Sequence, residues 1–252
     1  MVKKAVKVQQ RTLQVTNLDK VLYPDSDITK AEVIQYYLSI APYFMRYSKY
    51  RPLSTVRYPD GIEGEMFFQK DLPAWRPDWL TFFSGGKEKR KNYVTVTEEA
   101  TLVWLANLAS LELHQFHFRT NAAECPDYIV YDLDPPESFE FDDLKDLARS
   151  LKSYLESFGY HVYLKTSGNK GLHLFTPVLT NYSSDECFKA AKLLAEGYVK
   201  SNKLATLHLR KESRKGRVLI DIYRNRTSQT IVAPFSLRGQ PTAPVSMPIP
   251  WD

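Results

Sequence analysis

Cysteine is nearly absent: Cys125 and Cys187 stand alone in a chain of 252 residues. Two isolated cysteines are too few for a zinc cluster or a disulfide framework. Long apolar runs are missing as well, and none approaches the roughly 18 residues that span a bilayer as a helix. The opening Met-Val-Lys-Lys-Ala-Val-Lys-Val has no apolar core of the kind a secretory signal needs. No internal repeat and no low-complexity linker interrupts the chain. These absences argue against a membrane span and a disulfide scaffold, and make a reducing, cytoplasmic setting the expectation. What is present is ordinary globular composition, 43% hydrophobic and 25% charged, with a net charge of +5 that leans toward an anionic partner.

The stretch Tyr128-Ile-Val-Tyr-Asp-Leu-Asp-Pro-Pro136 reads as a buried strand. It ends in two carboxylates and is stopped by two prolines. Residues i and i+2 of a strand share a face, so Asp132 and Asp134 sit side by side. Two like charges that close repel unless a cation lies between them, and Mg²⁺ or Mn²⁺ prefers carboxylate oxygen. In isolation this Asp-x-Asp reads better as solvated residues at a loop start. Val218-Leu-Ile-Asp221 adds a third carboxylate at a strand end, which two cations would need.

Between two expected strands, Thr166-Ser-Gly-Asn-Lys-Gly-Leu-His173 combines hydroxyl, amide and ammonium donors suited to a polyphosphate. Gly168 and Gly171 are expected to let the backbone approach a ligand, with Ser167 and Lys170 as contacts and His173 on the same face as Gly171. Arg224 and Arg238 could each grip phosphate as a fork. Thr29 and Glu32 have the spacing of a capping box, opening a helix whose apolar face includes Val33, Ile34, Tyr37 and Leu38. Asn17, Lys20 and Lys30 cluster at that helix start, where phosphate is attracted; solvated surface lysines are the alternative. Of the adjacent Phe67 and Phe68, one is expected in the core and the other exposed for base stacking. A second helix is expected from a Thr97 cap to about Leu111. His114 and His117 fall on opposite faces of a strand, which argues against a shared metal. Residues 84–91 and 210–217 form basic, glycine-containing loops.

From Tyr128 onward the expected order is β-α-β-β-α-β, that of a ferredoxin-like (RRM-like) unit. The fold class is thus α+β: an N-terminal α/β module over about residues 1–125, a metal-binding module over about 126–240, and an extended, proline-rich C-terminal tail, all in one catalytic domain.

Tyr131-Asp-Leu-Asp-Pro-Pro136, Ser167-Gly-Asn-Lys-Gly-Leu-His173, Asp221-Ile-Tyr-Arg-Asn225 and Ala233-Pro-Phe-Ser-Leu-Arg238 together resemble the polymerase domain of the prokaryotic end-joining DNA ligase D, of the archaeo-eukaryotic primase superfamily. The resemblance runs from Asn17 to Trp251. It implies a template-dependent nucleotidyltransferase that fills gaps during non-homologous end joining, adding ribonucleotides or deoxyribonucleotides to 3′ ends. Asp132, Asp134 and Asp221 would hold two divalent ions, Mn²⁺ or Mg²⁺. Ser167, Lys170, Gly171, His173, Arg224, Arg238 and His114 would contact the nucleoside triphosphate. Asn17, Lys20 and Lys30 would bind the downstream 5′-phosphate, and Phe67 and Phe68 would lie beside the template. Lys87, Lys89, Arg90, Arg214 and Lys215, in the two basic loops, would contact DNA ends. Implied partners are gapped or 3′-overhang DNA, a Ku-type protein and a DNA ligase, in a nucleoid-associated prokaryotic setting without membrane. Two departures stand out: Asp27 and Gln240 replace residues usual in the family as glycine and arginine. The alternatives are a stand-alone primase and a non-catalytic DNA end-bridging module. Neither a ligase nor a phosphoesterase domain is recognised, so the chain is expected as an excised domain or a stand-alone polymerase.

Overall fold

In a computed structural model, residues 3–86 and 89–251 are described. The chain divides into two compact units, Met1–Phe116 with Val232–Ser246, and His117–Ile231 with Met247–Asp252. Among the described residues no helix is long and apolar enough to cross a membrane.

The first unit opens with a hairpin, β1 (Lys3–Val8) and β2 (Arg11–Thr16). Alternation buries Val8, Leu13 and Val15, so the arm is held by a hydrophobic face. The short pair β3 (Val21–Tyr23) and β4 (Ile28–Thr29) leads into α1 (Lys30–Ser48). The capping box forms as expected: the Glu32 amide donates to Thr29 Oγ1 at 3.4 Å, and the Thr29 amide to Glu32 Oε2 at 2.8 Å. Val33, Ile34 and Tyr37 face the core. The strands β5 (Pro52–Arg57), β6 (Phe67–Gln69), β7 (Phe82–Gly85) and β8 (Lys91–Thr95) precede α2 (Glu99–Asn107) and β9 (Ser110–Gln115). In their sheet β5 lies between β9 and β8, with β7 beyond β8 and β6 paired to the other end of β5. The helix α2 is shorter at both ends than its expected span. Thr97 Oγ1 lies 3.0 Å from Thr81 Oγ1 rather than capping the helix. Ala109 takes a left-handed backbone, φ 55°, which ends the helix and starts β9.

The second unit contains β10 (Tyr128–Asp134), α3 (Phe141–Glu156), β11 (Tyr163–Thr166), β12 (Leu172–Pro177), α4 (Ser184–Ser201), β13 (Ala205–Thr206), the single turn α5 (Lys211–Arg214) and β14 (Val218–Asp221). The two-residue β15 (Ile231–Val232) falls where the chain leaves this unit, and β16 (Pro248–Ile249) returns to it. The sheet order is β13-β14-β10-β12-β11-β16, antiparallel except for β13 with β14. Odd-numbered residues of β10 (Ile129, Tyr131, Leu133) point into one core with Leu172, Leu174, Val218 and Ile220. Five α3 side chains spaced at three and four (Leu144, Leu147, Ala148, Leu151, Leu155) and α4 residues Cys187, Ala191, Ala195 and Tyr198 complete it. Each of these leucines cut to alanine would cost about 2–5 kcal/mol. Gly159, at φ 85°, terminates the α3 segment. The even-numbered face of β10 buries Tyr128 and Val130 beside Phe175 and leaves its far end, Asp132 and Asp134, for chemistry.

Residues 237–252, expected as a surface tail, carry buried Leu237 and Ser246. Leu237 bridges to Val245 in the first unit. In the second, β16 pairs with β11, and the Trp251 indole donates to the Val162 carbonyl at 2.8 Å. Apolar side chains at these positions draw the tail inward.

Candidate active site

Strand register assembles the acidic group. Asp132 lies opposite Asp221 on one side and His173 on the other, and His173 lies opposite Lys165. Directly opposed residues point to the same face, so Asp221, Asp132, His173 and Lys165 form one row across four strands. Asp134, two residues on, shares that face. His173 Nε2 approaches Asp132 Oδ1 at 3.2 Å. Arg224 Nε stands 3.3 Å from Asp221 Oδ2 and 3.7 Å from Asp132 Oδ2. Arg224, expected at the nucleotide, is here the counter-charge between two acids.

Burial alone would push the Asp132 carboxyl up, but His173, Arg224 and Lys165 together hold it below its ordinary value. Asp221 stands above its ordinary value: burial raises it, Arg224 pulls it down, and repulsion from Asp132 and Asp134 adds to the rise. Arg214 Nη1 donates to Asp134 Oδ2 at 2.7 Å, and Nη2 to the Leu209 carbonyl at 3.0 Å. Arg214 was expected against DNA; in this structure it neutralises a carboxylate. Among the described residues no three His, Cys, Asp or Glu side chains already converge as a metal cage. The donor set nonetheless fits a hard divalent cation: three carboxylates share one face, and Asp132 and Asp134 both push the Asp221 carboxyl up, which such a cation relieves.

The loop after β11 folds tightly on itself. Ser167 Oγ accepts from the amides of Asn169 and Gly171, both at 3.1 Å, and Gly168 has φ 72°. Gly171 meets a requirement of the fold itself. A Cβ there would lie 2.2 Å from the Leu133 carbonyl oxygen, so the glycine lets the loop pack on β10. Lys170 Nζ is 3.5 Å from Glu137 Oε1 and largely exposed. Lys215, at φ 51°, follows α5.

In the first unit, His114 Nε2 lies 2.9 Å and Arg238 Nε 3.3 Å from Glu112 Oε2. Phe68 rests against His114, ring centroids 6.1 Å apart. Phe67 and Phe68 are both exposed, at 42% and 58%, not divided between core and surface. Among the described residues the three-residue strand that carries them pairs with β5 alone, and neither ring enters the core. Arg57 stacks over Phe67 at 5.1 Å.

Lys30 is buried and donates to the Thr16 carbonyl at 2.8 Å. Lys20 pairs with Asp60, and Asn17 takes a left-handed backbone, φ 52°. The first helical amides do not offer an anion site. Those of Lys30 and Ala31 donate to the carbonyls of Lys20 and Leu18 at 2.8 and 2.9 Å. Any phosphate attraction here comes from the ammonium groups. Burial, then Lys20 and Arg57, push the Lys30 ammonium down to about 8. Lys89 and Arg90 are exposed; Lys87 lies outside the described residues.

Two residues of these clusters escaped the sequence reading. Glu112 sits two before His114, the same i, i+2 spacing that drew notice to Asp132 and Asp134. Lys165, 2% exposed, gave no signal short of the strand register.

A family model described as LigD, primase-polymerase domain, matches residues 29–252. Over 244 residues the chain is 36% identical to the multifunctional non-homologous end joining protein LigD of Mycolicibacterium smegmatis, covering 95% of this chain and 32% of that protein. It is 33% identical over 241 residues to the bifunctional non-homologous end joining protein LigD of Bacillus subtilis, covering 95% of this chain and 39% of that protein. The chain thus spans about a third of the length of these curated relatives. Its mixed α/β fold superposes with a TM-score of 0.91 and 32% identity on the polymerase domain from Mycobacterium tuberculosis ligase D in complex with DNA, covering 96% of this chain and 88% of that one. The chain belongs to the LigD primase-polymerase domain family and is a nucleotidyltransferase of the polymerase type.

Proposed function

We propose that this chain is a template-dependent polymerase that fills gaps at broken DNA ends, adding ribonucleotides or deoxyribonucleotides to a 3′ end and recognising a 5′-phosphate on the downstream strand. The in-register row of Asp221, Asp132 and His173, with Asp134 on the same face, carries this reading. A nucleotidyltransferase of this type uses a divalent metal and nucleoside triphosphates. Asp132, Asp134 and Asp221 would hold two such ions, Mg²⁺ or Mn²⁺, which neutralise phosphate charge and activate the attacking hydroxyl. The chain's own work is positioning. Ser167, Lys170 and His173 would hold the triphosphate beside the acids, and Arg224 would exchange carboxylate for phosphate. His114 and Arg238 would contact the nucleotide, Phe67 and Phe68 the template, and Asn17, Lys20 and Lys30 the 5′-phosphate. Lys89, Arg90 and Lys215 would track DNA ends. The second unit is read as a ferredoxin-like β-α-β-β-α-β module, and both units act as one catalytic domain. The relatives' names support a place in non-homologous end joining, where a Ku-type protein and a ligase would be its partners.

The test is extension of a primer facing a short gap, with Mn²⁺ and either ribo- or deoxyribonucleotides, the downstream strand ending in 5′-phosphate or 5′-hydroxyl. Templated addition stimulated by the phosphate supports the whole reading. Addition indifferent to the phosphate removes the lysine pocket from it. DNA binding without addition replaces it with an end-bridging module, and strand initiation without a primer with a primase.

A further inference from the structure

We infer that Glu112 is a positioning residue for nucleotide binding, a buried carboxylate that sets the orientation of both His114 and Arg238. The inference rests on the reading of those two side chains as nucleotide contacts. Glu112 and His114 lie on β9 opposite Val56 and Ser54, two residues apart and so on one face. The Glu112 side chain is 8% exposed, against 16% for His114 and 19% for Arg238. Substrate therefore meets the histidine and the arginine, and Glu112 acts through them.

The two carboxylate oxygens divide the work. Oε1 accepts from the Gly239 amide at 2.9 Å and from the Tyr58 hydroxyl at 3.3 Å. That pair fixes the carboxylate plane through a backbone atom and an aromatic ring, neither of which swings easily. Oε2 is then presented to His114 Nε2 at 2.9 Å and Arg238 Nε at 3.3 Å. An ionised carboxylate only accepts, so Nε2 carries a proton and donates it to Glu112. Nε is the guanidinium nitrogen nearest the stem, and its ion pair with Oε2 holds the base of the guanidinium beside His114. Burial opposes the charge on Glu112, yet His114, Arg238 and the Gly239 amide bring its carboxyl down to about 2. Gly239 is needed for the same arrangement. A Cβ at that position would fall 2.2 Å from the Tyr58 hydroxyl oxygen, separating the two groups that grip Oε1. The segment Arg238-Gly239 thus supplies both a presented cation and the backbone clamp.

The experiment uses the full chain with Mn²⁺ and N-methylanthraniloyl ATP as a fluorescent binding probe, alongside kcat and KM for single-nucleotide addition on gapped DNA. Glu112→Gln keeps an acceptor for Gly239 and Tyr58 and removes the charge. It is expected to weaken probe binding and raise the nucleotide KM by about tenfold or more, the scale seen when a partner that orients a ligand is lost. Affinity for the gapped DNA should stay unchanged. Arg238→Ala should weaken the probe as well, and adding Glu112→Gln to it should weaken it little further, because the two act as one unit. Unchanged probe affinity in Glu112→Gln, or strictly additive effects, overturns the inference even if the melting temperature falls. Should Glu112→Gln fail to fold, Glu112→Asp takes its place. It keeps the charge one methylene short of its partners, and unchanged probe affinity there is likewise a refutation. A wild-type chain that binds the probe but adds no nucleotide refutes the polymerase reading, while the variants' probe affinities still decide the role of Glu112.

Discussion

If Lys30 receives the 5′-phosphate, binding must be coupled to proton uptake near pH 8. Burial, Lys20 and Arg57 hold its ammonium at about 8 instead of 10.5. A phosphate dianion against it would restore a value at or above 10.5. The unbound Lys30 is half neutral at pH 8, so each binding event should take up about 0.5 proton, falling to about 0.1 at pH 7 and rising to about 0.9 at pH 9. The phosphate titrates near pH 6 and is almost wholly dianionic at pH 8, so it adds little. The assay is isothermal titration calorimetry of gapped duplexes with 5′-phosphate or 5′-hydroxyl, in buffers of different ionisation enthalpy. The difference between the two ligands isolates the phosphate. Lys30→Met should abolish that difference. Equal uptake with both ligands, or a difference that survives Lys30→Met, would falsify the assignment of Lys30 to the phosphate. The same shift acts on folding. Below pH 8 Lys30 is charged in both states and the folded one bears the penalty. As pH rises from 8 to 10.5 the folded state sheds that charge first, so wild type gains stability relative to Lys30→Met. The full shift corresponds to about 3 kcal/mol, and solvent screening reduces it to about 1–2 kcal/mol.

Gly171→Ala must move backbone, given the 2.2 Å approach to the Leu133 carbonyl oxygen. A loss of about 2–4 kcal/mol in urea denaturation is expected, and a neutral result would contradict the packing described. Asp132→Asn should abolish nucleotide addition while DNA binding persists; it should also lower the Asp221 pKa, since Asp132 helps raise it, a change readable by carboxyl NMR. Between pH 4.5 and 2, wild type should lose about 2–3 kcal/mol more stability than Glu112→Gln, because a depressed carboxyl stabilises above its unfolded value and surrenders that as it protonates. Phe67→Ala and Phe68→Ala should each weaken binding of single-stranded template by about 1–3 kcal/mol if a base stacks there, measured by fluorescence anisotropy.

Local signals were legible where one short pattern decides the structure. Thr29 and Glu32 announce a helix start because the capping box closes within four residues. Tyr128 to Asp134 reads as a strand ending in acids because its β-branched and aromatic run and Pro135 settle it locally. Register is a different matter. That Asp132 faces both Asp221 and His173 depends on how three distant strands align, and no spacing along the chain encodes it. Glu112 and Lys165 went unnoticed for that reason: each gains meaning from a partner on another strand or a distant segment. Phe67 and Phe68 were misjudged because alternation presumes a face that enters the core, which this three-residue strand lacks. The end of α2 was overrun because nothing about an alanine warns that Ala109 will turn left-handed.

The first unit is not finished when its first 116 residues are made. Its core takes in Ala233 and Leu237, the Ser236 hydroxyl accepts from the Leu113 amide at 2.8 Å, and Arg238 and Gly239 reach Glu112. A growing chain therefore has to synthesise His117–Ile231 of the second unit before the first can close. An emerging first unit would expose unfinished apolar surface during translation, while the acids at 132, 134 and 221 are already in hand. Val232–Ser246 thus close a unit whose larger part is made before the second unit begins, and a chain cut ahead of them would leave that core open.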